Sequence, residues 1–309
     1  MISQQKEKLL VINELGRLLI MSQSSEFLES AIRSSVQRAL EEDLVPDGDL
    51  TAALVSPELF TSGTFTARQD GVLAGAACVT ETFRQVDPTI KISWHYSDGD
   101  QFNAGEALAT LEGPLAKVLT AERTALNFLS HLSGIATSVA QWVKQANGGA
   151  TIWDTRKTIP GLRSVEKAAV LAGGGANHRH NLSEWVMLKD NHLTGTTITE
   201  AVMSSRQKWP GRTVHVECDS FDQVQEALDV GADILLLDNM TPEEVTHCVS
   251  VVDKHVKSGA KRPLLEASGG ITLDMVSSYS HTGVDYISSG SLTNSAPALD
   301  IGLDLVNLD

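Results

Sequence analysis

Residues 150–290 alternate short apolar runs with stretches whose apolar positions have helical spacing. Six runs have the composition of strands, and each ends in polar residues: ATIWDT (150–155), EWVMLKD (184–190), TVHVECD (213–219), DILLLDN (233–239), PLLEASG (263–269) and VDYISSG (284–290). Strands that alternate with helices form a parallel sheet, whose strands are apolar along their length because both faces are covered. Six such units in series predict a closed or nearly closed α/β barrel, and an open doubly wound sheet is the main alternative.

Residues 27–146 show a different pattern, with helices at both ends and strands between them. Apolar residues recur at helical spacing over residues 27–43 and over the long segment 114–146. Between these helices, turn residues separate four short runs of strand character: TFTAR (64–68), GVLAGAA (71–77), IKISWHY (90–96) and ALATLEG (107–113). With a further helix near residues 79–86, the pattern predicts an α+β module that precedes the barrel.

Residues 1–26 have a pattern of their own. Lysine and glutamate stand ahead of short apolar runs, and Glu14 and Arg17 interrupt those runs. The leucines suit one face of a helix, and the segment lacks the continuous apolar region of a signal peptide. We therefore predict a helical extension for residues 1–26.

The composition is that of a globular protein with an acidic balance. Of 309 residues, 42% are hydrophobic, and 39 acidic against 24 basic residues give a formal net charge of −15. This charge argues against a nucleic-acid partner, because phosphate backbones require an extended cationic surface. No apolar run is long enough to span a bilayer, so we expect no membrane partner. Three cysteines without metal-type or CxxC spacing fit a reducing compartment, and we expect a cytoplasmic protein.

Basic residues concentrate in one segment of this acidic chain. Residues 154–192 contain six arginines and lysines against four acids. Arginine binds carboxylate or phosphate through two parallel hydrogen bonds, and lysine binds as a point charge. We assign this role to the basic residues at or near strand ends, which are Arg156, Lys157, Arg179 and Lys189.

Among the remaining polar residues of that segment, we assign one histidine to the site and interpret the others as structural. Arg163 and Lys167 lie in a helical run next to Glu166, and we interpret them as solvated residues with local salt bridges. His178 adjoins Arg179 and a glycine-rich turn and is assigned to the site. His180, His192 and the GGG at 173–175, which can end a helix, are interpreted as structural.

Acidic and small residues follow other strands of the predicted barrel. Glu217 and Asp238 end adjacent strands, where two carboxylates can hold ribose hydroxyls or a Mg²⁺ that carries phosphate oxygens; helix capping is the alternative role. SGG (268–270) and SGS (289–291) follow the last two strands, and either lets backbone N–H groups approach an anion or forms a plain tight turn. The rim thus offers a basic region for a small carboxylate and an acidic, Gly/Ser-rich region for a sugar phosphate.

Several longer motifs are similar to those of one enzyme family. From residue 154 onward they are DTRKTIPGLRSVEKAAV, GGGANHRHNL, LKDNHL, LLLDNM, LEASGGI and GVDYISSGSLT, and EEDLVPDGDLT and ERTALNFLSHLSGIAT precede them. From about residue 27 to its end, the chain resembles the quinolinate phosphoribosyltransferases, also called nicotinate-nucleotide pyrophosphorylases (carboxylating). The resemblance implies a type II phosphoribosyltransferase fold. Residues 27–131 plus 292–309 would form an α/β sandwich domain, and residues 132–291 an incomplete parallel α/β barrel that is the catalytic domain.

The resemblance also implies an activity and its residues. The family transfers a phosphoribosyl group from phosphoribosyl pyrophosphate to quinolinate with Mg²⁺, releasing pyrophosphate and CO₂ and giving nicotinate mononucleotide for NAD biosynthesis. It implies a homodimer or larger assembly in which Arg123 reaches the neighbouring subunit's site. The other implied substrate-binding residues are Thr155, Arg156, Lys157, His178, Arg179, Lys189, Glu217, Asp238, Ser268, Gly269, Gly270, Ser289, Gly290 and Ser291. Lys157, Glu217 and Asp238 would be catalytic, with Mg²⁺ bound through substrate phosphates near Glu217 and Asp238.

Three other functions remain compatible with the residues. The first is a related phosphoribosyltransferase with a different acid acceptor, either nicotinate or the substrate of an enzyme from a molybdenum-linked gene cluster. The second is a Schiff-base lyase or aldolase barrel that uses Lys189 as its nucleophile. The third is a barrel that binds sugar phosphates without catalysis.

Overall fold

The structure is a computed structural model and describes residues 26–308. Apart from Glu26, the helical extension predicted for residues 1–26 lies outside the described residues. Within residues 26–308, no helix combines the length and apolar character needed to cross a membrane. All three cysteines are buried free thiols.

An antiparallel sheet covered by helices forms the first part of the molecule. Its four strands have the order β12, β1, β5, β3, and β2 and β4 form a separate two-stranded ribbon. The helices are α1 (26–44), α2 (Ala76–Val86) and α3 (Leu115–Ala146). The strands are β1 (Phe60–Ala67), β2 (Gly71–Val72), β3 (Lys91–Trp94), β4 (Gln101–Phe102), β5 (Ala107–Pro114) and β12 (Ile301–Leu308). Each predicted strand run of this region contains or overlaps an observed strand.

Alternating burial along β1 explains how this sheet packs. Thr61, Gly63, Phe65 and Ala67 are buried, whereas the residues between them are partly exposed. Because side chains alternate between the two faces of a strand, one face of the sheet packs on α2 and α3 and the other is open. The resulting core is separate from the core around the second sheet.

The last strand returns to the first sheet. β12 pairs antiparallel with β1, from Phe60 opposite Leu308 to Ala67 opposite Ile301. The end of the chain therefore belongs to the same sheet as residues 60–67, as the assignment of residues 292–309 to the first domain requires. The domain bounds after residues 131 and 291 stay predictions.

A six-stranded parallel sheet forms the second part and has the order β6, β11, β10, β9, β8, β7. The strands are β6 (Thr151–Trp153), β7 (Val186–Leu188), β8 (Val214–Cys218), β9 (Ile234–Asp238), β10 (Leu264–Ser268) and β11 (Tyr286–Ser288). Each of the six predicted runs contains one of them. β6 and β7 are consecutive in the chain but lie at opposite edges of the sheet, which agrees with an incomplete barrel.

Helices connect the parallel strands and cover the outside of the sheet. They are α4 (Arg163–Ala172), α5 (Ile198–Lys208), α6 (Phe221–Asp229), α7 (Pro242–Lys257), α8 (Val276–Ser280) and α9 (Ser291–Asn294). Capping boxes begin α5 and α7 at Thr197 and Thr241. Each threonine hydroxyl accepts the backbone N–H of the glutamate three residues later, and the carboxylate of that glutamate accepts the backbone N–H of the threonine. This layering explains why β9 is apolar over its first four residues and polar only at Asp238.

Candidate active site

A cavity of about 280 Å³ lies at the carboxyl ends of the six parallel strands. Parallel strands bring their carboxyl ends to one edge, so residues far apart in the sequence meet there. Strands β7 to β11 or the residues directly after them contribute to the lining, as do the loop after β6 and the segment between α4 and β7; the lining residues are Thr155, Arg156, Lys157, His178, Arg179, Met187, Lys189, Glu217, Leu236, Asp238, Glu266, Ser268 and Ser288.

Most of the residues assigned from the sequence share this cavity. Nine of them line it: Thr155, Arg156, Lys157, His178, Arg179, Lys189, Glu217, Asp238 and Ser268. Arg123 is exposed on α3 and is not part of the lining. A contribution of Arg123 to a neighbouring subunit's site therefore stays a prediction.

The glycine and serine residues after β10 and β11 border the cavity without lining it; they are Gly269, Gly270, Ser289, Gly290 and Ser291. Gly269 has φ +97°, and a Cβ there would lie 2.3 Å from Asn239 Oδ1. A Cβ on Gly290 would lie 2.6 Å from Cδ of Lys157. These two glycines therefore let the strand ends and Lys157 pack closely, whatever part they play in binding phosphate.

The basic side of the cavity holds two guanidinium groups that lack full hydrogen bonding. Nε of Arg156 and Nε of Arg179 are buried without a partner among residues 26–308. Arg179 is 7% exposed and donates one bond, from Nη1 to the carbonyl of Trp185 at 3.3 Å. Burial lowers the pKa of Arg179, and the nearby charge of Arg156 adds to this effect. A bound anion would neutralise both charges and supply the missing acceptors.

The acidic side of the cavity joins three strand ends. Lys189 Nζ donates to Glu217 Oε2, and the pair is partly open to water. Burial raises the pKa of Asp238, and the neighbouring carboxylate of Glu217 raises it further. The side-chain amide of Asn239 donates to Asp238 Oδ2 at 2.6 Å, and the backbone of Asn239 has a φ of +56°. Two repelling carboxylates at adjacent strand ends form a donor set of the kind that Mg²⁺ binds, so these residues fit the predicted metal.

Lys167 corrects one interpretation made from the sequence. It is buried rather than solvated, with 2% exposure, and it does not pair with Glu166. Its Nζ donates to Asp154 Oδ1 and, at 2.9 Å, to the carbonyl of His178. The backbone N–H of His178 donates to the same carboxylate oxygen of Asp154 at 2.7 Å. The pair thus fixes the backbone of His178 against the end of β6.

Arg163 and Glu166 lie near the same part of the cavity, and they too are not the solvated salt-bridge residues that the sequence predicted. Arg163 donates to the carbonyls of Arg156 and His180, both at 3.3 Å, which links the two segments that bear the cavity's guanidinium groups. Glu166 is fully buried and accepts the backbone N–H of Ile159 at 3.1 Å. The first turn of α4 therefore holds the loop after β6 in place.

The residues interpreted as structural lie outside the cavity lining. His192 Nδ1 accepts the backbone N–H of Lys189 at 3.1 Å, and His180 Nε2 lies 3.4 Å from the Ser164 hydroxyl. Gly173 follows the last residue of α4 and donates its N–H to the Ala169 carbonyl, which is the helix-ending role.

Sequence reasoning did not single out three polar residues on the inner face of the sheet. Glu266 and Ser288 line the cavity, and His215 lies one inward position before Glu217 on β8. All three are buried, with exposures of 1%, 1% and 0%. Their signal in the sequence is a polar residue inside an otherwise apolar strand run, which costs stability unless it has partners or a function.

A parallel α/β sheet with a polar cavity at the carboxyl ends of its strands is the arrangement of the α/β-barrel enzymes. Two family models match the chain: quinolinate phosphoribosyl transferase, N-terminal domain, over residues 49–133, and the C-terminal domain of the same family over residues 135–304. The chain belongs to the quinolinate phosphoribosyltransferase family.

Individual relatives agree with this assignment. A probable nicotinate-nucleotide pyrophosphorylase (carboxylating) of Bacillus subtilis is 41% identical over 262 residues, covering 84% of this chain and 88% of that protein. The corresponding protein of Mycobacterium leprae is 39% identical, covering 89% and 97%. The solved nicotinate-nucleotide pyrophosphorylase of Francisella tularensis has a TM-score of 0.83 and 34% identity, covering 90% and 97%. That of Ehrlichia chaffeensis has a TM-score of 0.83 and 36% identity, covering 88% and 98%.

Proposed function

We propose that the protein transfers the phosphoribosyl group of phosphoribosyl pyrophosphate to quinolinate and releases pyrophosphate and CO₂, with nicotinate mononucleotide as product. The relatives from Bacillus subtilis and Mycobacterium leprae carry the name of this activity. The observation that carries the proposal is one cavity with Arg156 and Arg179 on one side and Glu217 and Asp238 on the other. The first pair suits a dicarboxylated ring, and the second suits an activated sugar.

Binding of the acid uses the unsatisfied cations. Quinolinate carries two carboxylates on adjacent ring carbons, and each carboxylate accepts two hydrogen bonds in one plane. Arg156 and Arg179 offer guanidinium nitrogens without partners among residues 26–308, and His178 lines the same cavity. A bound dianion neutralises the two guanidinium groups, which repel each other in the protein alone. The cavity therefore favours an acid with two carboxylates over an acid with one.

Ribosyl transfer needs placement and electrostatics rather than a covalent nucleophile. As pyrophosphate leaves, positive charge develops on the sugar, and the carboxylates of Glu217 and Asp238 stabilise it. The pyridine nitrogen then forms the bond to the anomeric carbon. Lys157, whose backbone N–H donates to Thr155 at 2.9 Å and whose carbonyl accepts from Thr293 at 2.8 Å, is held at the cavity to face the departing phosphates.

Decarboxylation follows from the charge on the ring. Once the ring nitrogen bears the ribosyl group it is cationic, so its charge stabilises the electron pair left on the adjacent carbon when the carboxylate departs as CO₂, and a proton from water then forms the C–H bond of the product. The arginines fix the substrate so that this carboxylate stays next to the nitrogen. Mg²⁺, bound through substrate phosphates near Glu217 and Asp238, would neutralise charge on the leaving pyrophosphate.

The proposal includes a dimer in the cytoplasm. Arg123 is exposed on α3 and available to a neighbouring copy. An additional guanidinium from a second subunit would complete the basic side of the cavity and make activity depend on assembly. Mixing an inactive Arg123→Ala chain with an inactive Glu217→Gln chain is then expected to restore activity in the hybrid. No gain on mixing would contradict a shared site.

The direct test is formation of nicotinate mononucleotide by the purified protein given quinolinate, phosphoribosyl pyrophosphate and Mg²⁺. We expect product with quinolinate, no product when either substrate is omitted, and loss of activity with a chelator. Nicotinate serves as the competing acceptor, and preference for nicotinate would favour a related transferase instead. Binding of both substrates without release of pyrophosphate would overturn the proposal.

A further inference from the structure

Three buried titratable side chains meet on the inner face of the sheet, and the proposed reaction uses only one of them. Glu266 Oε2 lies 3.2 Å from His215 Nε2 and 3.6 Å from His178 Nε2. The exposures of the two histidines are 0% for His215 and 6% for His178. His178 lines the cavity, whereas His215 does not.

The electrostatic environment of Glu266 is dominated by these two rings. Burial acts to raise the pKa of Glu266, but the contacts with His178 and His215 outweigh it and hold the pKa below its usual range. Within residues 26–308, no lysine or arginine nitrogen lies within 4.0 Å of Glu266. Its other oxygen accepts the hydroxyl of Ser288. Neither contact has hydrogen-bond geometry, and Glu266 Oε2 and His215 Nε2 are buried without a hydrogen-bond partner among residues 26–308. A buried carboxylate oxygen needs a donor to replace lost water, and the two imidazole nitrogens that face it can supply one.

The ring of His178 is also fixed from its sides. Its centroid lies 4.8 Å from that of Trp153 and 5.0 Å from that of Trp185. With Nε2 directed to Glu266, the remaining ring nitrogen is Nδ1, which has no partner among residues 26–308. The contact with Glu266 therefore decides both the orientation of the ring and which nitrogen is left for a ligand.

We propose that His215 and Glu266 are positioning residues that act through His178. Glu266 Oε2 faces Nε2 of both rings, and the close contact with His215 keeps the carboxylate in place. His178 then presents Nδ1 to a carboxylate of the bound acid. A ring with Glu266 at one nitrogen and a substrate carboxylate at the other carries protons on both nitrogens. This inference rests on the proposed function, because it takes quinolinate as the acid.

Paired variants of His215 separate positioning from a structural role. His215→Leu keeps the volume and removes the donor, whereas His215→Gln restores an amide donor near the position of Nε2. We expect His215→Leu to raise the KM for quinolinate roughly tenfold or more, as loss of a hydrogen bond to a buried charge does, with the KM for phosphoribosyl pyrophosphate unchanged. His215→Gln should recover most of this loss. His247→Leu, at an exposed position on α7, serves as the matched control.

A spectroscopic measurement tests the same inference without turnover. In ¹⁵N-histidine-labelled protein with quinolinate bound, we expect His178 to show protons on both ring nitrogens, and Glu266→Gln to lose the Nε2 proton signal. If wild-type protein binds quinolinate but makes no nucleotide, the proposed function fails and this signature still tests the inference.

Three results would overturn the inference. One is equal behaviour of His215→Leu and His215→Gln. Another is a parallel rise of both KM values in His215→Leu. The third is a stoichiometric transition metal in purified protein that is lost from Glu266→Gln, because two histidines and a carboxylate are also a zinc ligand set.

Discussion

Lys167 with Asp154 and Lys189 with Glu217 are both ammonium–carboxylate contacts beside the same cavity, yet water reaches only the second. In the first pair the side chains are 2% and 0% exposed, and in the second 41% and 15%. The buried pair has lost its hydration, and burial accordingly raises the pKa of Asp154 to about 6 and lowers the pKa of Lys167. The open pair keeps water that a ligand can displace.

The two pairs therefore differ in whether their contacts can be exchanged. Lys167 and Asp154 share the backbone of His178 as a third partner and cannot exchange it without unfolding the turn around it. Lys189 and Glu217 face the cavity and can exchange their mutual contact for contacts with a substrate. Under the proposed function, the same pair of groups is part of the scaffold in one place and of the binding site in the other, and the difference is access to solvent.

The largest expected effect is on stability at the buried pair. Lys167→Met leaves the carboxylate of Asp154 buried without its cation, and breaking one side of such a pair costs about 3–5 kcal/mol of unfolding free energy. Denaturant unfolding of the variant and of Lys189→Met gives the comparison. A Lys167→Met protein as stable as wild type would break the distinction between the two pairs.

Arg179 sharpens the comparison, because it is buried like Lys167 but has no carboxylate partner among residues 26–308. We expect Arg179→Met to lower kcat/KM for quinolinate by roughly a hundredfold or more, corresponding to about 2–4 kcal/mol, with little loss of stability. Steady-state kinetics and thermal unfolding of the same preparation test both parts. Kinetics near those of wild type would remove Arg179 from the site.

Lys189→Met should show the opposite balance to Lys167→Met. Its pair is open to water, so the unfolding free energy is expected to change by less than about 1 kcal/mol. Loss of a charge-assisted bond to substrate is expected to reduce transition-state stabilisation by about 1.5–3 kcal/mol, which lowers kcat/KM roughly tenfold to a hundredfold. A large fall in stability with unchanged kinetics would assign Lys189 to the scaffold.

The smallest effect is expected at Asp238 and depends on pH. Burial raises the pKa of Asp238 above its ordinary value of 3.8. A carboxyl group whose pKa rises on folding contributes stability that is fully present below the unfolded pKa and is lost as pH rises through the folded pKa. At neutral pH the charged Asp238 therefore lowers the free energy of unfolding, and Asp238→Asn removes this destabilisation.

Thermal unfolding without ligands measures this effect. The Asp238→Asn variant should unfold at a higher temperature than wild type at neutral pH and show no such gain below pH 3.8, while its activity is lost. Asp253→Asn, at an exposed position on α7, is the matched control. A variant less stable than wild type at neutral pH would contradict the assigned direction.

Much of the architecture followed from the sequence because it rests on local patterns. The six apolar runs from residue 150 marked all six parallel strands, and the polar residue at the end of each run marked the rim. Glu217 and Asp238 could be placed together because parallel strands end at one edge. The return of β12 to the first sheet is a long-range pairing, and its assignment depended on the family resemblance.

Buried polar residues were harder to interpret from the sequence. Lys167 follows Glu166 in a run with helical spacing, and periodicity does not tell which face of a helix meets a buried carboxylate. Glu166 was expected to pair with its neighbour but lies inward, where it accepts from Ile159. His215 and Glu266 sit inside apolar strand runs, and only the strand order brings them together.

In the proposed reaction, one cavity couples ribosyl transfer to the loss of a carboxylate. Quinolinate labelled in its 2-carboxylate, incubated with purified protein, phosphoribosyl pyrophosphate and Mg²⁺, measures this coupling. We predict labelled CO₂ and pyrophosphate in equal amounts, and neither without phosphoribosyl pyrophosphate. Labelled CO₂ released without phosphoribosyl pyrophosphate, or pyrophosphate released without CO₂, would contradict the account.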